Sequence, residues 1–80
     1  MVDRLYGKKV IGMKQSIKAI KNGEGQIVYV AKDADAKLVQ QISQLAHENS
    51  LEVKYVETMK ELGKLCGIEV GASAAVILKN

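Results

Sequence analysis

The chain of 80 residues contains no tryptophan, no phenylalanine and no proline, and its aromatic side chains are three tyrosines. A core built from it is therefore mostly aliphatic. A single cysteine, Cys66, excludes an internal disulfide, and no metal-ligand spacing surrounds it. No apolar run reaches the length of a membrane span, and no secretory segment is evident. The Gly-Lys-Ser/Thr signature of a phosphate-binding loop is missing. The glycines of Cys66-Gly67-Ile68-Glu69-Val70-Gly71 precede an expected strand rather than open a helix, so they do not make a dinucleotide loop. No acid, base and nucleophile converge: His47 and Cys66 could form a nucleophilic pair only if the fold brought them together. The expectation is a non-enzymatic protein of a reducing cytoplasm, with no catalytic residue, no metal site, no cofactor and no membrane contact.

What is present suffices for one domain over residues 1–80. Hydrophobic residues make up 48% of the chain, and this length supports a modest core. The net charge of +3 suits a nucleic-acid partner, although many unrelated small proteins share such a balance.

The most informative stretch is Gly12-Met13-Lys14-Gln15-Ser16-Ile17-Lys18-Ala19-Ile20-Lys21-Asn22-Gly23. At 100° per residue, Met13, Ile17 and Ile20 share one arc of a helix and can be buried. Lys14, Lys18 and Lys21 share a neighbouring arc, which read alone is a solvated face. Gly23 stands where a left-handed cap is wanted. The free N–H groups and positive end of the helix lie beside Lys14 and Gln15, and Gly12 lets another molecule approach. A phosphate or a base edge fits such a place.

Along the rest of the chain, helices alternate with short apolar strands. Residues 1–7 are a lead-in with one helical turn through Val2-Asp3-Arg4-Leu5-Tyr6, and residues 8–11 form a short strand. The first long helix covers about 14–22. The continuous apolar run over 27–31 reads as a strand covered on both faces. Asp35 caps a second helix over about 36–49, whose apolar stripe is Leu38, Val39, Ile42, Leu45 and Ala46. Residues 51–56 form a strand. Thr58-Met59-Lys60-Glu61 is a capping box opening a third helix that Gly67 ends, and residues 74–78 form the last strand. Asp33 and Asp35 could be paired carboxylates, but turn and cap roles account for them. The pattern predicts an α/β fold: a three-layer α/β/α sandwich around a small mixed central sheet.

Two features stand out in the third helix and the connection after it. Gly63 lies inside the helix, where glycine costs about 1 kcal/mol relative to alanine. That implies close backbone approach, most simply of helix on sheet. Beyond it, Gly67 and Gly71 bracket Ile68, Glu69 and Val70. Either the two apolar residues tuck back into the core, or they form an apolar finger for a base or a partner. The expectation is that Ile68 faces outward, while Val70 packs partly against the third helix.

In this order and spacing, four pieces of the chain resemble the kink-turn-binding family of ribosomal proteins, and within it the short bacterial ribosomal-like members. They are Gly12-Met13-Lys14-Gln15 with Lys18 and Asn22-Gly23; Val30-Ala31-Lys32-Asp33-Ala34-Asp35; Leu62-Gly63 with Cys66-Gly67; and Ile68-Glu69-Val70-Gly71. The resemblance covers about residues 8–79. It implies an α/β/α sandwich that binds RNA kink-turns, in which a three-nucleotide bulge and tandem sheared G·A pairs bend the duplex. By position, Gly12, Met13, Lys14, Gln15 and Lys18 would meet the G·A pairs, and Ile68, Glu69 and Val70 the bulged nucleotides. Asp35 matches an acidic position near an extruded base.

One departure is visible. Archaeal and eukaryotic members commonly have Asn-Glu where this chain has Lys14-Gln15. Lys donates to guanine O6 and N7, and Gln both donates and accepts, so G·A edges remain readable with a different contact pattern. The expected partner is kink-turn RNA, ribosomal or regulatory, bound by a monomer without DNA specificity. The alternative is a small protein-interaction module that docks through the 67–71 loop.

Overall fold

In the computed structural model, which describes residues 8–79, the order is β1 (Lys9–Ile11), α1 (Met13–Lys21), β2 (Gly25–Ala31), α2 (Ala36–Glu48), β3 (Glu52–Val56), α3 (Met59–Leu65) and β4 (Ala74–Leu78). The helical turn expected over Val2-Asp3-Arg4-Leu5-Tyr6 lies outside the described residues. The strands form one sheet in the order β1-β4-β2-β3. β2 and β3 are parallel, with Val28 opposite Val53, and α2 supplies the crossover that a parallel pair requires. β4 runs antiparallel to both β1 and β2, with Val76 opposite Val10 on one side and Val28 on the other.

The strand alternation explains the two cores. Along β2, Val28 and Val30 point to one face and Tyr29 and Ala31 to the other. Val28 and Val30 join Val76 and Ala74 of β4 beneath Met13, Ala19 and Ile20 of α1 and Ile42 and Ala46 of α2. On the opposite face, Ala31 and Ala75 pack with Leu62 of α3 and with Cys66 at its C-terminal cap. This is the expected three-layer α/β/α sandwich with a mixed sheet, and its continuous apolar β2 is covered on both sides.

The helix ends follow local chemistry. The Asp35 carboxylate accepts from the Lys37 N–H at 2.9 Å, and the Thr58 hydroxyl oxygen accepts from the Glu61 N–H at 3.0 Å. Gly23 (φ 73°) and Gly67 (φ 80°) adopt the left-handed conformation just past α1 and α3. Observed bounds differ from the sequence reading by a residue or two at most ends. Two side-chain expectations change. The buried face of α1 is centred on Ser16, Ala19 and Ile20, whose small members let the helix lie close on the sheet, while Ile17 is half-buried. Leu38, assigned to the apolar stripe of α2, sits in the first turn and remains 37% exposed.

Candidate functional site

Three backbone hydrogen bonds gather distant segments at one end of the sheet. The Gly12 N–H donates to the Ala74 carbonyl at 2.8 Å, and the Ala31 N–H to the Ser73 carbonyl at 3.0 Å. The Lys32 N–H donates to the Val56 carbonyl at 2.8 Å. The start of α1, the 32–35 loop and the 67–73 loop therefore lie side by side where β1, β2 and β3 end and β4 begins.

The first of these segments turns on Gly12. Its φ of 103° and ψ of 155° fall in a region that is essentially closed to side-chain-bearing residues. Apart from its chain neighbours, no atom of the described residues lies within 4 Å of where its Cβ would stand, so glycine is required here by the backbone and not by crowding. Lys14, Gln15 and Lys18 are exposed on the helix that follows, and neither lysine has an ion-pair partner among the described residues. The N–H groups of the first turn have no carbonyl one turn earlier to bond, so they add a positive field to the two cations. Met13 differs from its assignment as a contact residue. It is 9% exposed and belongs to the core under α1, so only its backbone is available at the surface.

The 67–73 loop is moulded onto α3. The Gly67 N–H donates to the Lys64 carbonyl and the Ile68 N–H to the Gly63 carbonyl, both at 3.0 Å. This is the Schellman pattern, in which the residue after the left-handed glycine packs back on the helix. Ile68 accordingly packs against the Leu62, Cys66, Ala72 and Ala75 cluster instead of facing outward. Val70, expected to pack partly against α3, is 70% exposed. Glu69 is exposed beside it. The finger exists, but its tip is Glu69-Val70 and Ile68 is its root.

Gly63 does mark a close approach, though not to the sheet. A Cβ there would collide with the Val70 carbonyl oxygen and stand 3.2 Å from the Gly71 Cα. The Ala72 N–H donates to the Met59 carbonyl at 2.9 Å, which fastens the far end of the loop to the start of the same helix.

The 32–35 loop has mainly a structural part. The Asp35 carboxylate is engaged in capping α2. Asp33 accepts from the Met59 N–H at 2.8 Å, so it joins this loop to the start of α3. The turn or cap role expected for Asp33 is thus a cap on a distant helix, a contact between residues so far apart in the chain that it leaves no local signal. Lys32 pairs with Glu57 at 3.1 Å, both exposed. Cys66 is buried on the α3 face, and burial pushes its thiol up while nearby Lys9 pulls against the shift. His47 is exposed on α2, across the sheet from Cys66, so the two do not form a pair.

One end of the molecule thus presents two cations without an ion-pair partner among the described residues, backbone donors, an amide, the Glu69 carboxylate and one projecting apolar side chain. That combination suits a negatively charged partner with acceptor-rich edges and an exposed apolar surface. Residues 3–80 match the family described as ribosomal protein L7Ae/L30e/S12e/Gadd45. The RNA-binding protein YbxF of Geobacillus stearothermophilus is 48% identical over 91% of this chain and 89% of its own. The RNA-binding protein TTE2299 of Caldanaerobacter subterraneus subsp. tengcongensis is 43% identical over 94% of this chain and 92% of its own. Among solved structures, the Giardia lamblia 15.5kD RNA binding protein superimposes with a TM-score of 0.83 at 22% identity, covering 90% of this chain and 61% of that one. At that identity, the likeness is one of fold.

Proposed function

The chain belongs to the ribosomal protein L7Ae/L30e/S12e/Gadd45 family, and from that membership we propose that it is an RNA-binding protein that recognises and stabilises kink-turns. It acts by binding and not by catalysis. The observation that carries the kink-turn reading is the junction of the α1 start with the 67–73 loop through Gly12 and Ala74. A kink-turn offers two unlike features close together, G·A base edges and splayed nucleotides, and this end of the protein offers two unlike surfaces close together. Ordinary A-form major grooves are too narrow for side chains to read, so a helix start with exposed donors needs a distorted site.

In this reading, Lys14 and Gln15 address the G·A edges, with the open backbone at Gly12 beside them, and Lys18 neutralises phosphate. Val70 covers the bulged nucleotides with Glu69 at its side, and Ile68 supports it from beneath. Asp35 caps α2 through one carboxylate oxygen and, exposed at this end of the sheet, faces an extruded base. The protein works as a single-domain monomer in the cytoplasm, on ribosomal or regulatory RNA and without DNA specificity. A protein-docking role for the loop is the weaker reading. Its exposed apolar surface is Val70 with neighbouring Met59, far below the area of a stable interface.

Fluorescence anisotropy with two RNAs tests this. Replacing the G·A pairs by Watson–Crick pairs is expected to weaken binding about a thousandfold or more, the lower end of the usual gap between specific and nonspecific sites. Lys14→Ala should reduce that discrimination, since a good base contact is worth roughly 1–3 kcal/mol. Lys18→Ala should instead flatten the salt dependence by about one unit of slope. Equal affinity for the bent motif and a plain duplex would leave only a generic basic protein.

A further inference from the structure

We infer that Gly63 aims Val70, and so governs recognition of the bulged nucleotides without touching RNA itself; this rests on the kink-turn reading above. Glycine inside a helix is unfavourable by about 1 kcal/mol, so its presence in α3 calls for a compensating contact. That contact is the backbone of the loop. The Val70 carbonyl is turned down onto the Gly63 Cα, and with the carbonyl held there the Val70 side chain stands out to solvent, 70% exposed. The loop is fastened on either side of this point, by the Ile68 N–H to the Gly63 carbonyl at 3.0 Å and by the Ala72 N–H to the Met59 carbonyl at 2.9 Å.

A methyl group at position 63 must therefore displace something. α3 cannot retreat, because Leu62 (0% exposed) and Cys66 (7% exposed) pin it to the sheet in a close-packed cluster. The exposed loop gives way instead, and Val70 moves with it. The start of α1 is tied to Ala74 by a separate bond from Gly12, so the surface carrying Lys14 and Gln15 stays in place. Gly63 is thus a positioning residue for one half of the interface. Its loss should impair reading of the bulge while sparing reading of the G·A pairs.

The test is a double-mutant cycle with Gly63→Ala and Val70→Ala. It is measured on a kink-turn RNA and on the same RNA with its bulged nucleotides made abasic. Each single variant is expected to lose about tenfold in affinity for the intact RNA, a conversion of about 1.4 kcal/mol, and to match wild type on the abasic RNA. The double variant should be no weaker than either single one, because both remove the same contact. All four proteins should still prefer sheared G·A pairs to Watson–Crick pairs. Unchanged affinity of Gly63→Ala for the intact RNA overturns the inference. So does an equal loss on both RNAs, or additive losses in the double variant.

Melting curves identify whether Gly63→Ala folds. If it does not, Gly71→Ala takes its place, since a Cβ there would stand 3.2–3.4 Å from Met59 and shift the same loop less. A smaller loss of the same bulge-dependent pattern supports the inference, and full affinity refutes it. Wild-type protein that fails to prefer a kink-turn to a duplex removes the functional reading and this inference together. Normal wild-type preference with a failed cycle removes this inference alone.

Discussion

Ile68→Ala and Val70→Ala are neighbouring substitutions in one loop, and the structure separates them sharply. Truncating a fully buried isoleucine to alanine costs about 2–5 kcal/mol, from lost apolar transfer and the cavity left behind. Ile68 is half-buried, with its inner side against Leu62, Cys66, Ala72 and Ala75. About half of that range applies, roughly 1–2.5 kcal/mol by the same scale. For a domain of this size, each kcal/mol moves the melting temperature by about 4–8 °C, so a fall of roughly 4–20 °C is expected. Val70 is 70% exposed, and truncations of exposed side chains usually stay within about 0.5 kcal/mol, or no more than about 4 °C. The assay is thermal unfolding by circular dichroism without RNA, followed by kink-turn titration of each variant well below its transition. Ile68→Ala should melt early, and Val70→Ala should melt almost normally yet bind more weakly. Equal melting temperatures, or a larger fall for Val70→Ala, would refute the assignment of Ile68 as root and Val70 as tip.

Two further substitutions probe the scaffold under the site. Gly12→Ala meets no atom of the described residues beyond its chain neighbours but forces a side-chain-bearing residue to φ 103°, so it should lose about 1–3 kcal/mol through backbone strain, read by denaturant titration; an unchanged midpoint would show that the helix start relaxes freely. Asp33→Ala removes the acceptor for the Met59 N–H at the start of α3 and should cost about 1 kcal/mol, as other helix-cap deletions do. Hydrogen exchange should then rise first in α3, and protection lost uniformly across the protein would contradict a local cap.

The elements themselves were legible in the sequence because their causes are local. A 3.6-residue spacing, a capping aspartate or threonine, and a glycine past the last apolar position specify α1, α2 and α3 to within a residue or two. The unbroken apolar run of β2 implied cover on both faces, and the order of elements implied the sandwich. The helix-start lysines were also visible, as was the fact that Gly63 must touch something. Even the burial of Ile68 had a local signal. Gly67 as the left-handed cap makes Ile68 the residue that folds back on its helix, a rule that outweighs the appearance of an apolar finger.

Tertiary structure alone decided what depends on pairing between distant segments. No periodicity indicates that the Gly12 N–H reaches Ala74, that Asp33 caps α3, or that Gly63 lies beneath Val70 and not on the sheet. Each is a contact across the chain between groups whose own neighbours are unremarkable. The depth of α1 on the sheet likewise decided that Ser16 is fully buried while Ile17, one residue on, is only half-buried. Helical spacing gives the direction of a side chain. How much neighbouring structure covers that direction is set only when the layers pack.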